Sequence, residues 1–230
     1  MSTILNIETS GKICSVAVTK DGVCEFQLED REGMKHAERL APFVEQCMQE
    51  IKRKEWELDA VAVSIGPGSY TGLRIGLSLA KGLALSLDLP LIGVSTLKIL
   101  AVKAMFRNMN FQGDELLVPM IDARRMEVFT GAYNFALEAL SGPGPMILDE
   151  ASYSELLENY QLYFMGDGAA KSKEVIKSPN AHWLENIEPL AKDMLALSEK
   201  AFREKDFIDI AYSVPEYLKE YQTTVARPRI

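Results

Sequence analysis

Two stretches of this sequence hold residue types and spacings able to do chemistry. The first is Glu8-Thr9-Ser10, a carboxylate followed by two hydroxyls at the end of an apolar run, a combination that can hold a phosphate or a cation. The second is Gly66-Pro67-Gly68-Ser69-Tyr70-Thr71, which follows the apolar run Val61, Ala62, Val63, Ile65 and precedes a long helical pattern. Strand, glycine loop, helix is the order in which free amides at a helix start face an anion. The competing reading of both stretches is structural: a polar turn that satisfies its own backbone, and a corner that launches a helix.

The glycine loop departs from each named motif. A P-loop needs a Lys after its second glycine, a dinucleotide fingerprint needs Gly where Thr71 stands, and a nucleophile elbow needs glycines at 67 and 71. What remains is a rigid turn of Gly66, Pro67 and Gly68, with Ser69 or Thr71 as the helix N-cap. A helical metal site at His36 would want a second ligand four residues on, where Leu40 stands, and the other histidine is the distant His182. Ser69 has no base identifiable as its partner. No catalytic, cofactor-binding or metal-ligating residue is therefore assigned.

The elements that position these stretches follow from hydrophobic patterning. Thr3–Glu8, Cys14–Thr19 and Val23–Leu28 read as strands, the last two joined at Asp21-Gly22, and His36–Lys52 reads as an amphipathic helix. The helix from about Thr71 to Leu87 carries Gly72, Gly76, Ala80 and Ala84 at four-residue spacing, a stripe another helix can approach closely. An interior helical glycine costs about 1 kcal/mol relative to alanine, so Gly76 and Gly82 point to close packing. Pro90–Val94 reads as a strand and Ser95–Arg107 as a capped helix. Leu116–Ile121, the acidic turn at Asp122 and Met126–Tyr133 then restart the opening pattern. Residues 141–145 read as a loop, Ser152–Tyr160 as a helix, Leu162–Met165 as a strand and Glu188–Lys205 as a helix.

Two successive hairpins, repeated after the polar stretch 108–114, predict an α/β protein with the two-lobed actin-like ATPase fold (ASKHA, ribonuclease H-like). Each lobe is a mixed sheet with helices, residues 1–108 and 109–230, with the final tail packing back on the first lobe. The net charge of −8 is uneven: the first 113 residues hold 13 basic and 13 acidic side chains, so all the excess acid lies beyond them. Neither half offers the basic footprint of an autonomous nucleic-acid binder. Three cysteines are too few for a disulfide framework, and the most apolar segment is too short and too charged to span a membrane. With a start that lacks a basic, apolar leader, these features predict a soluble cytoplasmic protein.

The motif IGPGSYTGLRIGLSLAKGLA closely resembles the TsaB (YeaZ) family, the dimerisation subunit of the bacterial threonylcarbamoyl-adenosine synthesis complex. ILNIETS, VPMIDARRMEVFTGAY, GDGA and VPEYLKE resemble further segments of that family, in its order and across nearly the whole chain. The resemblance implies a subunit without catalysis of its own. It pairs with the paralogue TsaD, which transfers threonylcarbamoyl to the adenosine next to the tRNA anticodon, and an ATPase, TsaE, completes the complex. It implies tRNA contact only through the complex, a homodimer when the chain is alone, and no bound cofactor.

The family's pairing surface corresponds here to the two first-lobe helices. His36, Leu40, Phe43, Cys47, Gly72, Gly76, Leu79, Ala80 and Leu83 are the expected interface, with Gly66, Pro67, Gly68, Ser69 and Thr71 as the structural loop. The paralogue's H-x-x-x-H metal pair is missing at His36/Leu40. Only Gly166-Asp167-Gly168 stands where kinases of this fold carry an adenosine loop. The alternative reading is a phosphotransferase of the sugar- or acetate-kinase type, supported by the polar turns at Glu8 and Asp122. A peptidase reading ranks last.

Overall fold

A computed structural model describes residues 2–33, 35–107 and 110–218. In the first lobe, β1 (Thr3–Glu8), β2 (Cys14–Lys20) and β3 (Val23–Asp30) form an antiparallel meander. Helix α1 (His36–Arg53) then leads to β4 (Ala60–Gly66), and α2 (Tyr70–Leu87) to β5 (Leu91–Ser95). Both β4 and β5 join in parallel, giving the order β3-β2-β1-β4-β5. All six residues of β1 are buried because both faces of the sheet are covered. Leu5 and Ile7 pack with Leu40, Val44, Cys47 and Ile51 of α1 and with Leu77, Ala80 and Ala84 of α2. Ile4, one residue out of phase, faces the opposite side with Ala62 and Ile92.

The second lobe repeats the plan. Strands β6 (Leu116–Asp122), β7 (Glu127–Tyr133) and β8 (Ala139–Ile147) are antiparallel. Strands β9 (Leu162–Met165) and β10 (Ala181–Leu184) are parallel, in the order β10-β9-β6-β7-β8. Helix α3 (Thr96–Arg107) joins the lobes and serves both. Ile99 packs on the first sheet, while Leu97, Leu100, Ala101 and Ala104 pack against Leu117, Ile121 and Tyr133 of the second. Two such lobes sharing a central helix form the actin-like ATPase fold that the duplicated pattern predicts. The expected boundary at 108/109 lies outside the described residues.

Three sequence expectations need correction. Residues 141–145 are part of strand β8, not a loop. Pro143 and Pro145 are tolerated because β8 is the sheet's edge, and Gly142 (φ +77°) sits where the pairing register shifts. The helix expected over 152–160 shrinks to α4 (Ser154–Leu157), and α5 (Ala169–Val175) was not anticipated. The helix expected from Glu188 begins later, as a 3₁₀ turn (Ala191–Met194) followed by α6 (Leu195–Glu204). Pro189 accounts for the delay, since it disfavours the helical conformation at the residue before it. Helix α6 returns to the first lobe, where Leu197, Ala201 and Phe202 pack under Ile4 and Ile92.

Candidate functional site

The two stretches with chemical potential meet at one corner of the first lobe. Strand β1 ends at Glu8, and the Ser10 amide donates to Glu8 Oε1 at 2.8 Å. The Thr9 amide donates to Ser64 Oγ of β4 at 3.3 Å. From the glycine loop, the Ser69 amide donates to the Ser10 carbonyl at 2.6 Å. Ser69 is the N-cap of α2, its Oγ accepting from the Gly72 amide at 3.2 Å.

The small residues of α2 are explained here. A Cβ at Gly68 would strike the Ser10 carbonyl, one at Gly72 the Thr9 carbonyl, and one at Gly76 the Thr9 hydroxyl. The helix start therefore clasps the first turn, and the Ser69 and Gly72 amides that an anion could use are engaged by the chain's own oxygens. Burial pushes the Glu8 carboxyl up to about 7, against opposing hydrogen bonds from Ser10. Its Oε2 has no close hydrogen-bond partner among the described residues.

The equivalent turn of the second lobe is also held by internal bonds. Asp122 Oδ1 accepts from the Arg124 amide and from Lys171 Nζ, each at 2.6 Å, and the Asp122 amide donates to Asp167 Oδ1 at 2.9 Å. Partial burial works against the charge on Asp122, but the bonds from Lys171 and Arg124 outweigh it and hold its pKa below the usual value. Asp167 is shifted the other way, chiefly by desolvation. His36 is buried at the start of α1, and His182 stacks on Tyr163 with ring centroids 4.8 Å apart. No group of three metal-ligating side chains occurs among the described residues.

The expected interface residues divide into two sets. His36, Leu40, Cys47, Gly72, Gly76 and Ala80 are buried inside the chain, the stripe of small residues against Thr9 and the sheet rather than outward. Phe43, Leu79 and Leu83 are half-buried and border the outer surface. Outward on α2 stand residues that the four-residue spacing did not single out. Leu85 and Leu87 are 71% and 42% exposed. Gly82, expected to be closely packed, has no heavy atom of the described residues within 4 Å of the position its Cβ would take.

A C-terminal strap, residues 206–217, borders this face. The Ile208 amide donates to Leu91 O at 2.8 Å and the Glu216 amide to Ile65 O at 2.7 Å. Lys81 Nζ of α2 donates to the carbonyls of Ala211 and Ser213 at 3.2 and 2.6 Å. Arg74 Nε donates to Tyr217 Oη at 2.9 Å, with its guanidinium 4.1 Å from the Tyr70 ring centroid. Nothing in the local sequence marks these long-range contacts, which only the fold assembles.

Residues 32–227 match the family model described as TsaD, tRNA N6-adenosine threonylcarbamoyltransferase. The chain is 32% identical over 224 residues to the tRNA threonylcarbamoyladenosine biosynthesis protein TsaB of Bacillus subtilis, covering 94% of each. It is 32% identical over 230 residues to the Escherichia coli protein of the same name, again covering 94% of each. Among solved structures it resembles YeaZ from Pseudomonas aeruginosa with a TM-score of 0.73 and 28% identity, over 94% of this chain and 100% of that one. A second solved structure, described as an uncharacterized protein with similarity to peptidase YeaZ from Pseudomonas aeruginosa, gives a TM-score of 0.78 at 28% identity over 95% of this chain and 100% of that one.

Proposed function

We propose, from the family to which this chain belongs, TsaB (YeaZ), that it acts in tRNA threonylcarbamoyladenosine biosynthesis as the non-catalytic subunit that binds and organises the transferase paralogue TsaD. The observation that carries this reading is the outer face of α2. An interior helical glycine costs about 1 kcal/mol relative to alanine. Gly72 and Gly76 repay it through their contact with Thr9, whereas Gly82 has no such contact among the described residues. Beside it lie the exposed Leu85 and Leu87 and the half-buried Leu79 and Leu83. A bare helix backbone edged by leucines is where a second helix packs closely. Without TsaD, a second copy of this chain covers the same face.

The lack of chemistry in our reading rests on two filled turns: Thr9 and Ser10 occupy the α2 start, and Lys171 neutralises Asp122. The acidic second half of the chain supports tRNA contact through the partners. We take the lobes to divide at 108/109, the ATPase TsaE to complete the assembly and the complex to act in the cytoplasm. No helix among the described residues is long and apolar enough to cross a membrane.

Reconstitution tests the reading. With threonylcarbamoyl-adenylate and tRNA, TsaD plus this chain should form the modified nucleoside, and the chain alone should form none. Product from the chain alone, or tight ATP–magnesium binding by the chain in calorimetry, would overturn it and favour the phosphotransferase class.

A further inference from the structure

The exposed side of α2 is not uniformly apolar. Arg74, Ser78, Gly82 and Leu85 are all exposed and, at spacings of four, four and three residues, form one ridge along the helix. The leucine end of this ridge is apolar, and its other end is a single cation held in place. Arg74 Nε donates to Tyr217 Oη at 2.9 Å, and the guanidinium carbon lies 4.1 Å from the Tyr70 ring centroid. The two tyrosine rings pack against each other with centroids 5.2 Å apart. This frame uses only the Nε–H of the guanidinium fork, and neither Nη atom has a hydrogen-bond or ion-pair partner among the described residues. No carboxylate among the described residues acts on the Arg74 charge, and α2 itself contains no Asp or Glu. The helix's other cation, Lys81, is already engaged by two strap carbonyls. Contact with the two rings restricts the long Arg74 side chain before any partner arrives, so less rotamer freedom is lost on binding an anion.

We infer, resting on the α2 reading above, that Arg74 is the polar anchor of this face and that TsaD meets it with a carboxylate side chain. At a rise of 1.5 Å per residue, Arg74 lies about 12 Å along the helix from Gly82. A partner helix that packs closely over Gly82 and runs at a shallow angle to α2 passes within reach of the Arg74 side chain about two turns further on. A neutral or basic group at that point would leave the guanidinium covered without a partner, which disfavours docking in any other register. Charge complementarity thus names the partner's chemistry: an apolar stripe with one acidic residue about two turns from the point of closest contact. A nucleic-acid backbone fits less well, because it calls for a run of cations and α2 offers only Arg74 and the engaged Lys81.

Calorimetric titration of TsaD into the full chain, without tRNA, at about 50 mM and about 500 mM salt tests it. At the lower salt Arg74→Ala should weaken binding by about tenfold, and Arg74→Glu by more. Arg74→Lys, which keeps the charge and loses the planar fork, should fall between the wild type and Arg74→Ala. The wild-type affinity should fall with salt, and that of Arg74→Ala should fall less. Tyr217→Ala separates the charge from the strap: it frees the strap end and keeps the cation, so the wild-type salt dependence should survive. Arg74 variants that bind as the wild type does would overturn the inference. So would a Tyr217→Ala variant that matches Arg74→Ala in affinity and salt dependence, or an Arg74 effect that appears only when tRNA is added. Gly82→Trp keeps this failure distinct from that of the α2 reading. If Gly82→Trp abolishes pairing while Arg74→Glu pairs normally, the face stands and the anchor falls; if the wild type does not pair with TsaD, both fall.

Discussion

Glu8→Gln isolates the cost of a fully buried carboxyl at the closed corner. The carboxyl is raised from an ordinary 4.5 to about 7 because burial penalises its charged form. A group whose folded pKa lies above its unfolded pKa gives stability that is fully present below about 4.5. That stability is lost as pH rises through about 7, because the folded state must then hold an unpaired buried charge. At 1.36 kcal/mol per unit, the whole shift amounts to about 3 kcal/mol, of which about 2 to 3 kcal/mol falls between pH 5 and pH 8. Glutamine keeps an oxygen for the Ser10 amide and has no charge to bury. Urea unfolding of both proteins at pH 5 and pH 8, with equal m-values, reads the difference directly. The variant should gain on the wild type by that amount between the two pH values. Equal pH dependence of the two proteins, or a variant that loses ground at pH 8, would refute the reasoning.

Other substitutions test the neighbouring claims. Gly76→Ala drives a methyl group into the Thr9 hydroxyl and should destabilise the isolated chain by about 1–3 kcal/mol in urea unfolding. Gly82→Ala has open space and should stabilise the isolated chain by up to about 1 kcal/mol. Two glycines on one helix thus give opposite signs. Arg74→Ala removes the hydrogen bond to Tyr217 and the stacking on Tyr70, and should speed proteolytic cleavage within 206–217 with little change in global stability.

The fold was legible because its patterns are local and repeated. The opening meander, the two long first-lobe helices and the restart after residue 114 all follow from spacing and turn residues. Strand β8 was illegible because prolines read as a loop until the sheet shows them at an edge. The start of α6 was displaced by Pro189, a local signal that was available in the sequence. The α2 stripe shows a deeper limit. Four-residue spacing reveals that small residues share a face, but not whether that face meets the chain's own first turn or another molecule. The distinction between Gly76 and Gly82 comes from Thr9, sixty-odd residues away in sequence and in contact with only the first of them. Likewise, the strap over α2 joins segments more than a hundred residues apart.

The central claim is that α2 presents its Gly82 face to TsaD. Size-exclusion chromatography of this chain mixed with TsaD, using the wild type and Gly82→Trp, tests it most directly. The wild type should elute as a heterodimer, and Gly82→Trp, with an unchanged circular dichroism spectrum, should elute separately from TsaD. A folded Gly82→Trp that pairs with TsaD as the wild type does, or a wild type that never pairs, would contradict the account.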